Sequence, residues 1–317
     1  RGINKLHEII RTVDLTKDYG SLRAVDHLNL SVRQGEILGF LGLNGAGKTT
    51  TLRMLLGMIS PTAGSCYLQG QKVTPGNIGI WNDVGYLVET AHSYPDLTVR
   101  ENLELVRKLR DMEDKGSVDW IIEKLKLGDY ASVKSKNLSL GNAQRLGIAK
   151  ALIHKPKILL LDEPTNGLDP AGIIEIRLLL LDLAKNLGVT MIISSHKLEE
   201  ISRLATNIAI IHHGRLIKSV ESKELESHLN KTLLVNGESI RGIKETLSKA
   251  GFNVSSQSES GKGAELPLRI VDDEAINNPQ NIATILVNSG HPPTLLKIEE
   301  EDLEAYFMRI IHEQGGE

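Results

Sequence analysis

The chain has 317 residues, of which 40% are hydrophobic and 24% charged, an ordinary balance for a soluble globular protein. Its formal net charge of −3 argues against a basic surface, so no nucleic-acid partner is expected. A single cysteine, Cys66, excludes an internal disulfide. Charged residues interrupt the most apolar stretch, residues 172–184, and the N-terminus has no signal-peptide pattern. We therefore expect a cytoplasmic chain without a membrane span.

The first half of the chain combines short strands with helical segments. Alternating or continuous apolar patterns predict strands at residues 8–13, 24–32, 36–41, 65–68 and 84–88. Helical spacing of apolar residues predicts helices at residues 48–58, within 95–126, and at 142–154. The last two regions together predict a helical insert spanning about residues 95–155.

The second half begins with the pattern of a layered α/β core. Apolar strands at residues 157–162 and 189–194 alternate with helices at residues 171–186 and 197–205. Motifs that carry chemistry end near residue 220. We therefore divide the chain into a first domain, residues 1–220, and an accessory α+β domain, residues 221–317.

The accessory domain has the predicted element order strand, helix, strand, strand, helix, strand. This order is compatible with a ferredoxin-like split βαβ unit. A hairpin turn between its two middle strands is predicted at Gly261, Lys262 and Gly263.

A glycine-rich loop between a predicted strand and a predicted helix is the clearest functional motif. It comprises Gly42, Leu43, Asn44, Gly45, Ala46, Gly47, Lys48 and Thr49, with Thr50 next in the helix. Glycines let backbone N–H groups curve around phosphate oxygens, Lys48 supplies positive charge, and the Thr49 hydroxyl can bind Mg²⁺. The flanking strand and helix are the context that a phosphate-binding loop requires. The sequence therefore predicts nucleotide binding through these residues.

Two acidic residues, Asp162 and Glu163, follow a predicted buried strand. Asp162 can hold Mg²⁺ through a water molecule, and Glu163 can polarise an attacking water as a general base. Alone, this pattern also fits an ordinary strand that ends in two acids; beside the phosphate loop it favours a catalytic pair. Ser139, at a predicted helix start, has the pattern of an N-cap and alone indicates only a capped helix.

The set and order of motifs resemble the ATP-binding cassette (ABC) ATPases over roughly residues 8–218. Residues 42–49 resemble the Walker A motif, 158–163 the Walker B motif, 138–142 the signature motif and 166–169 the D-loop. The resemblance implies a P-loop NTPase cassette with a RecA-like core, an antiparallel β subdomain and a helical insert. It also implies ATP and Mg²⁺ as ligands.

The resemblance assigns roles to individual residues. Tyr19 takes the place of an aromatic that stacks on adenine, and His196 that of a histidine at the γ-phosphate. Alone, the two also fit a half-buried strand position and a surface histidine. Ser139 and Gly141 would reach the γ-phosphate held by Lys48 of another cassette, so a second copy or a related chain is implied. The expected catalytic residues are Lys48, Glu163 and His196.

Three positions depart from the family pattern. Leu140 and Asn142 stand in the signature motif where Gly and Gln are most common, and Glu89 stands where most members have Gln. A Glu89 oxygen can still meet Mg²⁺ or its water, so the expected metal set is Thr49, Asp162 and Glu89. These departures leave ATP binding as an expectation and bear on the rate of turnover.

Residues 138–149 and 299–307, together with Glu89, are similar to bacterial exporters of the bacitracin and lantibiotic type. This similarity implies efflux of an antibiotic or peptide, and so antibiotic resistance, through a separate ABC-2 permease. The chain would be a homodimer or heterodimer, peripheral on the inner face of the cell membrane. The alternatives are the ATPase of a binding-protein-dependent importer and a soluble ABC ATPase acting on ribosomes or DNA. A non-catalytic regulatory cassette would lack Lys48 or Glu163.

Overall fold

The computed structural model describes residues 8–89, 92–256 and 266–315. The hairpin turn predicted at residues 261–263 lies outside the described residues. Of the helices in the described part of the chain, none is long and apolar enough to cross a membrane.

The chain divides into two compact units, residues 1–225 with 310–317, and residues 226–309. Each unit contains its own cluster of buried hydrophobic side chains. The boundary that we predict after residue 220 falls at the end of a strand, Arg215–Glu221.

Strands and helices of the first unit alternate along the chain. The described strands are β1 (Glu8–Tyr19), β2 (Leu22–Arg33), β3 (Ile37–Leu41), β4 (Ala63–Leu68), β5 (Gln71–Lys72), β6 (Val84–Leu87), β7 (Ile158–Asp162), β8 (Thr190–Ser195), β9 (Asn207–His212) and β10 (Arg215–Glu221). The described α-helices are α1 (Lys48–Leu55), α2 (Val99–Leu109), α3 (Gly116–Lys124), α4 (Leu140–Leu152), α5 (Pro170–Leu187) and α6 (Leu198–Ser202).

A six-stranded sheet forms the centre of the first unit, in the order β10-β9-β3-β8-β7-β6. Its strands are parallel except for β10, which pairs antiparallel with β9. Every residue of β3, β7 and β8 is buried, which explains their largely apolar sequences. Ligands bind such sheets outside the carboxyl ends of the strands, and these three strands end at the predicted motifs.

A four-stranded antiparallel sheet, in the order β2-β1-β4-β5, forms a further layer. Buried and exposed residues alternate through most of β2, as expected of a strand with one face on the core. Its buried side chains, among them Val25, Leu28 and Leu30, join those of α1 in one cluster. The antiparallel β subdomain is therefore confirmed. β1 continues past its predicted end at Val13 as far as Tyr19.

The helices α2, α3 and α4 lie between β6 and β7 in the chain and form the expected helical insert. A capping box begins α2: the Thr98 hydroxyl accepts the Glu101 N–H, and the Glu101 carboxylate accepts the Thr98 N–H. The buried Asn102 amide donates to the carbonyls of Tyr94, Leu97 and Thr98. These bonds fix the loop before α2 and so the start of the insert.

The second unit contains β11 (Lys231–Gly237), α7 (Ile240–Lys249), β12 (Val254–Ser256), β13 (Leu268–Ile270), α8 (Asp273–Asn277), α9 (Pro279–Asn288) and β14 (Pro293–Glu300), and α10 (Leu303–Gly315) starts within it. Its antiparallel sheet has the order β12-β13-β11-β14. The first and third strands of this unit, β11 and β13, are central in the sheet. The helical connection from β11 to β12 passes over β13, and the connection from β13 to β14 passes over β11, which is the ferredoxin-like split βαβ arrangement. Leu233 and Val235 of the sheet pack with Ile243 and Leu247 of α7 in its core.

The first helix, α1, ends earlier than predicted. The pattern of apolar residues predicts a helix to Met58, whereas α1 ends at Leu55. Gly57 takes a left-handed backbone conformation with φ of 64°, which terminates the helix in a turn.

Candidate functional site

The glycine-rich loop connects β3 to α1, and its backbone packs closely against the neighbouring strands β2 and β8. A Cβ on Gly47 would lie 2.4 Å from the Ala24 carbonyl oxygen, so only glycine fits there. The Gly42 N–H donates to the Ser195 carbonyl at 3.3 Å. Gly45, at φ of 83°, has open space where its Cβ would be. The loop therefore has an anchored base and an open rim, as a phosphate cradle requires.

The rim of this loop is exposed at Leu43, Asn44 and Gly45, whereas Ala46 and Gly47 are buried. Thr50, which follows Thr49 in the first turn of α1, is half-buried. The start of α1 contributes backbone N–H groups and the positive end of a helix dipole, which favour a bound anion.

Lys48 lies buried at the mouth of the loop. Its Nζ donates to the carbonyl oxygens of Gly42 at 2.6 Å and Leu43 at 3.1 Å. Burial lowers the pKa of Lys48, while the nearby carboxylates of Glu163 and Asp162 oppose that shift. The ammonium group is thus partly desolvated and close to both acids, so its charge acts strongly on a neighbouring anion.

Thr49 and Asp162 are brought together across 113 residues of sequence. The Thr49 hydroxyl donates to Asp162 Oδ2 at 2.7 Å. Asp162 is the last residue of β7 and is buried, and its other oxygen, Oδ1, accepts the Ser194 hydroxyl. A hydroxyl beside a buried carboxylate at the mouth of the loop is an all-oxygen set of the kind that Mg²⁺ prefers.

Glu163 and His196 also meet. His196 Nδ1 lies 2.9 Å from Glu163 Oε1, and the Glu163 side chain is only 20% exposed. Glu163 has a left-handed backbone, with φ of 47°, directly after β7. Its N–H is bonded to both the carbonyl oxygen and the hydroxyl oxygen of Ser194, each at 3.2 Å. The base predicted from sequence is therefore held at the sheet edge with an imidazole beside it.

The signature residues Ser139 and Gly141 lie at the start of α4. Ser139 caps this helix, its hydroxyl accepting the Asn142 N–H at 3.3 Å. Among the described hydrogen bonds, none joins Ser139 or Gly141 to Lys48 or Thr49.

Leu140, one of the departures in the signature motif, lies against the D-loop. Its side chain is 70% exposed, and it would be 2.5 Å from a Cβ built on Gly167. A further contact between α4 and the segment after β7 was not predicted from the sequence: the Gln144 amide donates to the carbonyls of Glu163 at 3.3 Å and Pro164 at 3.1 Å. A buried glutamine within an otherwise small and apolar helix face is the signal that could have found it.

Glu89 and Tyr19 lie at the edges of the site. The Glu89 carboxylate is paired with Arg53 of α1, and its backbone is left-handed with φ of 65°. The structure therefore does not place Glu89 with Thr49 and Asp162. Tyr19 ends β1, and its ring is 45% exposed, with Lys17 Nζ 5.1 Å from the ring centroid. An exposed ring of this kind is available for stacking.

A groove of about 510 Å³ lies between α1, β6, α2 and α4. Its apolar lining includes Tyr86, Leu105 and Leu109, and its basic lining includes Arg53, Arg110 and Lys150. Tyr86 and Leu109 are 45% and 74% exposed. A half-apolar concave surface next to Glu89 is suited to a protein partner.

Asp26 supports the phosphate loop from the antiparallel sheet. Its buried carboxylate accepts bonds from Arg215, His27 and Arg23. These bonds, above all those from Arg215 and His27, lower the pKa of Asp26 to about 2. Its backbone N–H donates to the Gly214 carbonyl at 3.0 Å, and the Gly214 N–H donates to Ala46 of the loop at 3.0 Å.

The substitution Asp26→Asn is expected to lower the free energy of unfolding by about 1–2 kcal/mol at neutral pH, because charged hydrogen bonds are lost. A depressed pKa stabilises the fold above the unfolded-state value of 3.8, and this contribution disappears as the pH falls to about 2. Urea unfolding at pH 7, 4 and 3 should therefore show that the difference in free energy of unfolding between the two proteins becomes smaller as the pH falls. A difference that stayed constant down to pH 3 would contradict this account.

The comparisons with known proteins agree with this geometry. A family model for ABC transporters matches residues 25–166. A bacitracin transport ATP-binding protein of Bacillus licheniformis is 39% identical over 303 residues, covering 96% of this chain and 97% of that protein. A lantibiotic transport ATP-binding protein of Streptococcus pyogenes is 34% identical over 229 residues, covering 71% of this chain and 98% of that protein.

Solved structures show the same fold. The dimeric structure of a bacterial ABC transporter cassette has a TM-score of 0.63 and 27% identity, and the match covers 67% of this chain and 98% of that one. Together with the relative that is similar along nearly its whole length, this confirms the resemblance drawn from the sequence motifs. The chain therefore belongs to the ABC transporter family, as one of its ATP-binding proteins.

Proposed function

We propose that the chain is the ATP-hydrolysing subunit of an ABC exporter that moves an antibiotic or peptide out of the cell through a separate permease. The names of the relatives, bacitracin transport and lantibiotic transport ATP-binding proteins, support the substrate class. The single observation that carries the ATPase activity is the assembly of Thr49 with Asp162 and of Glu163 with His196 at one sheet edge.

ATP binding rests on the loop from Gly42 to Thr49. Its backbone N–H groups would surround the phosphates, and Lys48 would exchange its two carbonyl acceptors for phosphate oxygens. Tyr19 offers its exposed ring to the adenine. Desolvation of Lys48 strengthens its attraction for phosphate relative to a fully hydrated lysine.

Hydrolysis requires a base and an oriented water molecule. Glu163 accepts a proton from the water as the water oxygen bonds to the γ-phosphorus, and the bond from phosphorus to the β–γ bridging oxygen breaks. The products are ADP and inorganic phosphate. His196 is hydrogen-bonded to Glu163 through Nδ1 and so holds the carboxylate in place. Its other ring nitrogen would then be free to donate to the reacting phosphate. Positioning and charge stabilisation supply most of the rate enhancement.

The oxygen donors of Thr49 and Asp162 fit Mg²⁺, and when bound the ion neutralises phosphate charge. Glu89 could join this set only by leaving Arg53, because the two now form an ion pair. Both side chains are substantially exposed, at 49% and 35%, so the pair is weak and can be broken at small cost.

A complete site needs a second cassette. Ser139 and Gly141 lie at the start of α4, make no described hydrogen bond to Lys48 or Thr49 of their own chain, and would face the phosphate loop of a second chain. The N-terminal end of α4 then directs its free N–H groups at the γ-phosphate. A dimer that closes on ATP and opens after hydrolysis would drive the permease.

We further propose that the permease binds in the groove beside Glu89, which would hold the chain at the inner face of the cell membrane. The groove combines exposed apolar side chains with the cations of Arg53, Arg110 and Lys150. A permease helix with an apolar face and an acidic residue would match it.

The test is co-purification from native membranes with identification of the captured proteins. The substitution Leu109→Asp in the groove is expected to reduce permease recovery at least about tenfold, because it replaces an apolar contact by a carboxylate that repels the acidic residue of the permease helix. Leu178→Asp, at a 59% exposed position of α5 outside the groove, is the matched control and should retain the permease.

Three outcomes would contradict parts of this proposal. Equal recovery with Leu109→Asp and Leu178→Asp would rule out the groove. A permease that operates with a secreted solute-binding protein would indicate an importer. Ribosomes or nucleic acid without any membrane protein would indicate a soluble ABC ATPase.

A further inference from the structure

A single buried hydroxyl joins the two acidic residues of the site. Ser194 of β8 is fully buried and lies in register with Asp162 of the neighbouring parallel strand β7. Its Oγ donates to Asp162 Oδ1 and accepts the Glu163 N–H at 3.2 Å. A serine hydroxyl has one proton to donate and lone pairs to accept with, so both bonds form at once.

The first of these bonds completes the fixation of the Asp162 carboxylate. Asp162 Oδ2 accepts the Thr49 hydroxyl at 2.7 Å, and Oδ1 accepts Ser194. Two donors on opposite oxygens set the plane of the carboxylate, and this group is only 4% exposed. Without Ser194 the described donor to Oδ1 is lost in a buried position, which frees the carboxylate to rotate.

The second bond acts on the backbone of Glu163. This residue has φ of 47°, a conformation that non-glycine residues adopt infrequently. Its N–H is held by two oxygens of Ser194, the carbonyl and the hydroxyl, each at 3.2 Å. The direction in which the Glu163 side chain leaves the strand, toward His196, therefore depends partly on this hydroxyl.

We propose that Ser194 is a positioning residue for the ATPase reaction: it orients Asp162 toward Mg²⁺ and Glu163 toward the attacking water. Ser194 touches neither the phosphate loop nor His196 through its described hydrogen bonds, so it acts through the two acids. This inference rests on the proposed ATPase function.

The test measures ATP affinity as a function of Mg²⁺ concentration by calorimetry, with the full chain and the substitution Ser194→Ala. The Mg²⁺ concentration that gives half of the affinity gain should rise about tenfold, the usual effect of removing a residue that orients a metal ligand. ATP affinity in EDTA should stay within about twofold, because Asp162 then binds no metal. Steady-state turnover should fall in kcat more than it changes KM.

Two further variants separate positioning from folding. Ser195→Ala removes the next hydroxyl along β8, which accepts the Lys197 N–H at 3.0 Å, and should leave the Mg²⁺ dependence unchanged. Ser194→Thr keeps a hydroxyl and should restore the Mg²⁺ dependence to within about threefold. Thermal unfolding of each variant shows whether the fold is intact.

A Ser194→Ala protein with the Mg²⁺ dependence of the unsubstituted chain would overturn the inference. An equal loss of ATP affinity with Mg²⁺ and in EDTA would overturn it too, since that pattern indicates general disruption. Failure of the unsubstituted chain to bind ATP would instead overturn the proposed function itself.

Discussion

Replacing Glu163 by glutamine should reduce ATP turnover by at least about 100-fold, because a general base contributes 10²–10⁴ to the rate. The amide is nearly isosteric with the carboxylate, but it cannot accept the proton of the attacking water. Its oxygen can still accept a hydrogen bond from His196, so the local geometry is retained. ATP affinity should therefore change little, and the ATP-bound dimer should accumulate since hydrolysis no longer opens it.

Three measurements check this result: steady-state phosphate release, ATP affinity, and the molar mass in solution with and without ATP. Glu199→Gln is the matched control, because Glu199 is a 70% exposed glutamate paired with Arg203 on α6. It should keep the turnover of the unsubstituted chain. Unchanged phosphate release by the Glu163→Gln protein would refute the assignment of the base.

The overall fold could be predicted well because its signals are local. The strands β3, β7 and β8 are apolar runs, and each runs into a motif that has its own local pattern. The ferredoxin-like unit followed from element order alone. Exact ends were less predictable: α1 stops at Leu55 because of Gly57, a turn that apolar spacing does not register.

The site was predictable only as far as contiguous motifs allowed. The residue types at Lys48, Thr49, Asp162 and Glu163 indicate their chemistry, whereas their partners depend on which strands lie side by side. Ser194 reaches Asp162 across 32 residues, through the parallel register of β7 and β8. Sequence patterns do not encode that register, so the link was missed.

For Glu89, the sequence pattern predicts a contact that the structure does not show. Its position in the family pattern predicts a metal ligand, yet the structure pairs it with Arg53 across 36 residues. The pairing depends on how α1 lies beside the end of β6, which is a tertiary property. A carboxylate that has a nearby cation takes that partner, and the sequence pattern alone does not show which cation is near.

Lys48→Ala should lose ATP binding, with an affinity decrease of at least about 100-fold, or about 3 kcal/mol, for removal of a partly buried cation from a phosphate. The reason lies in the charges around Lys48. Asp162 and Glu163 are close enough to oppose the burial-driven lowering of the Lys48 pKa, so both carboxylates lie near the ammonium group that would hold the phosphates. Without the ammonium group, two carboxylates and the triphosphate would repel one another with no cation from the loop between them.

Calorimetric titration of ATP checks this prediction, with Lys223→Ala as the control because Lys223 is 75% exposed and outside the site. Lys48→Met, which keeps most of the side-chain volume, separates loss of charge from loss of packing. Retained ATP affinity in both Lys48 variants would count against the phosphate loop. The contrast with Glu163→Gln is the sharper argument: the glutamine variant should bind ATP without hydrolysing it, while the Lys48 variants should do neither. That separation would assign binding charge to the loop after β3 and proton transfer to the residue after β7.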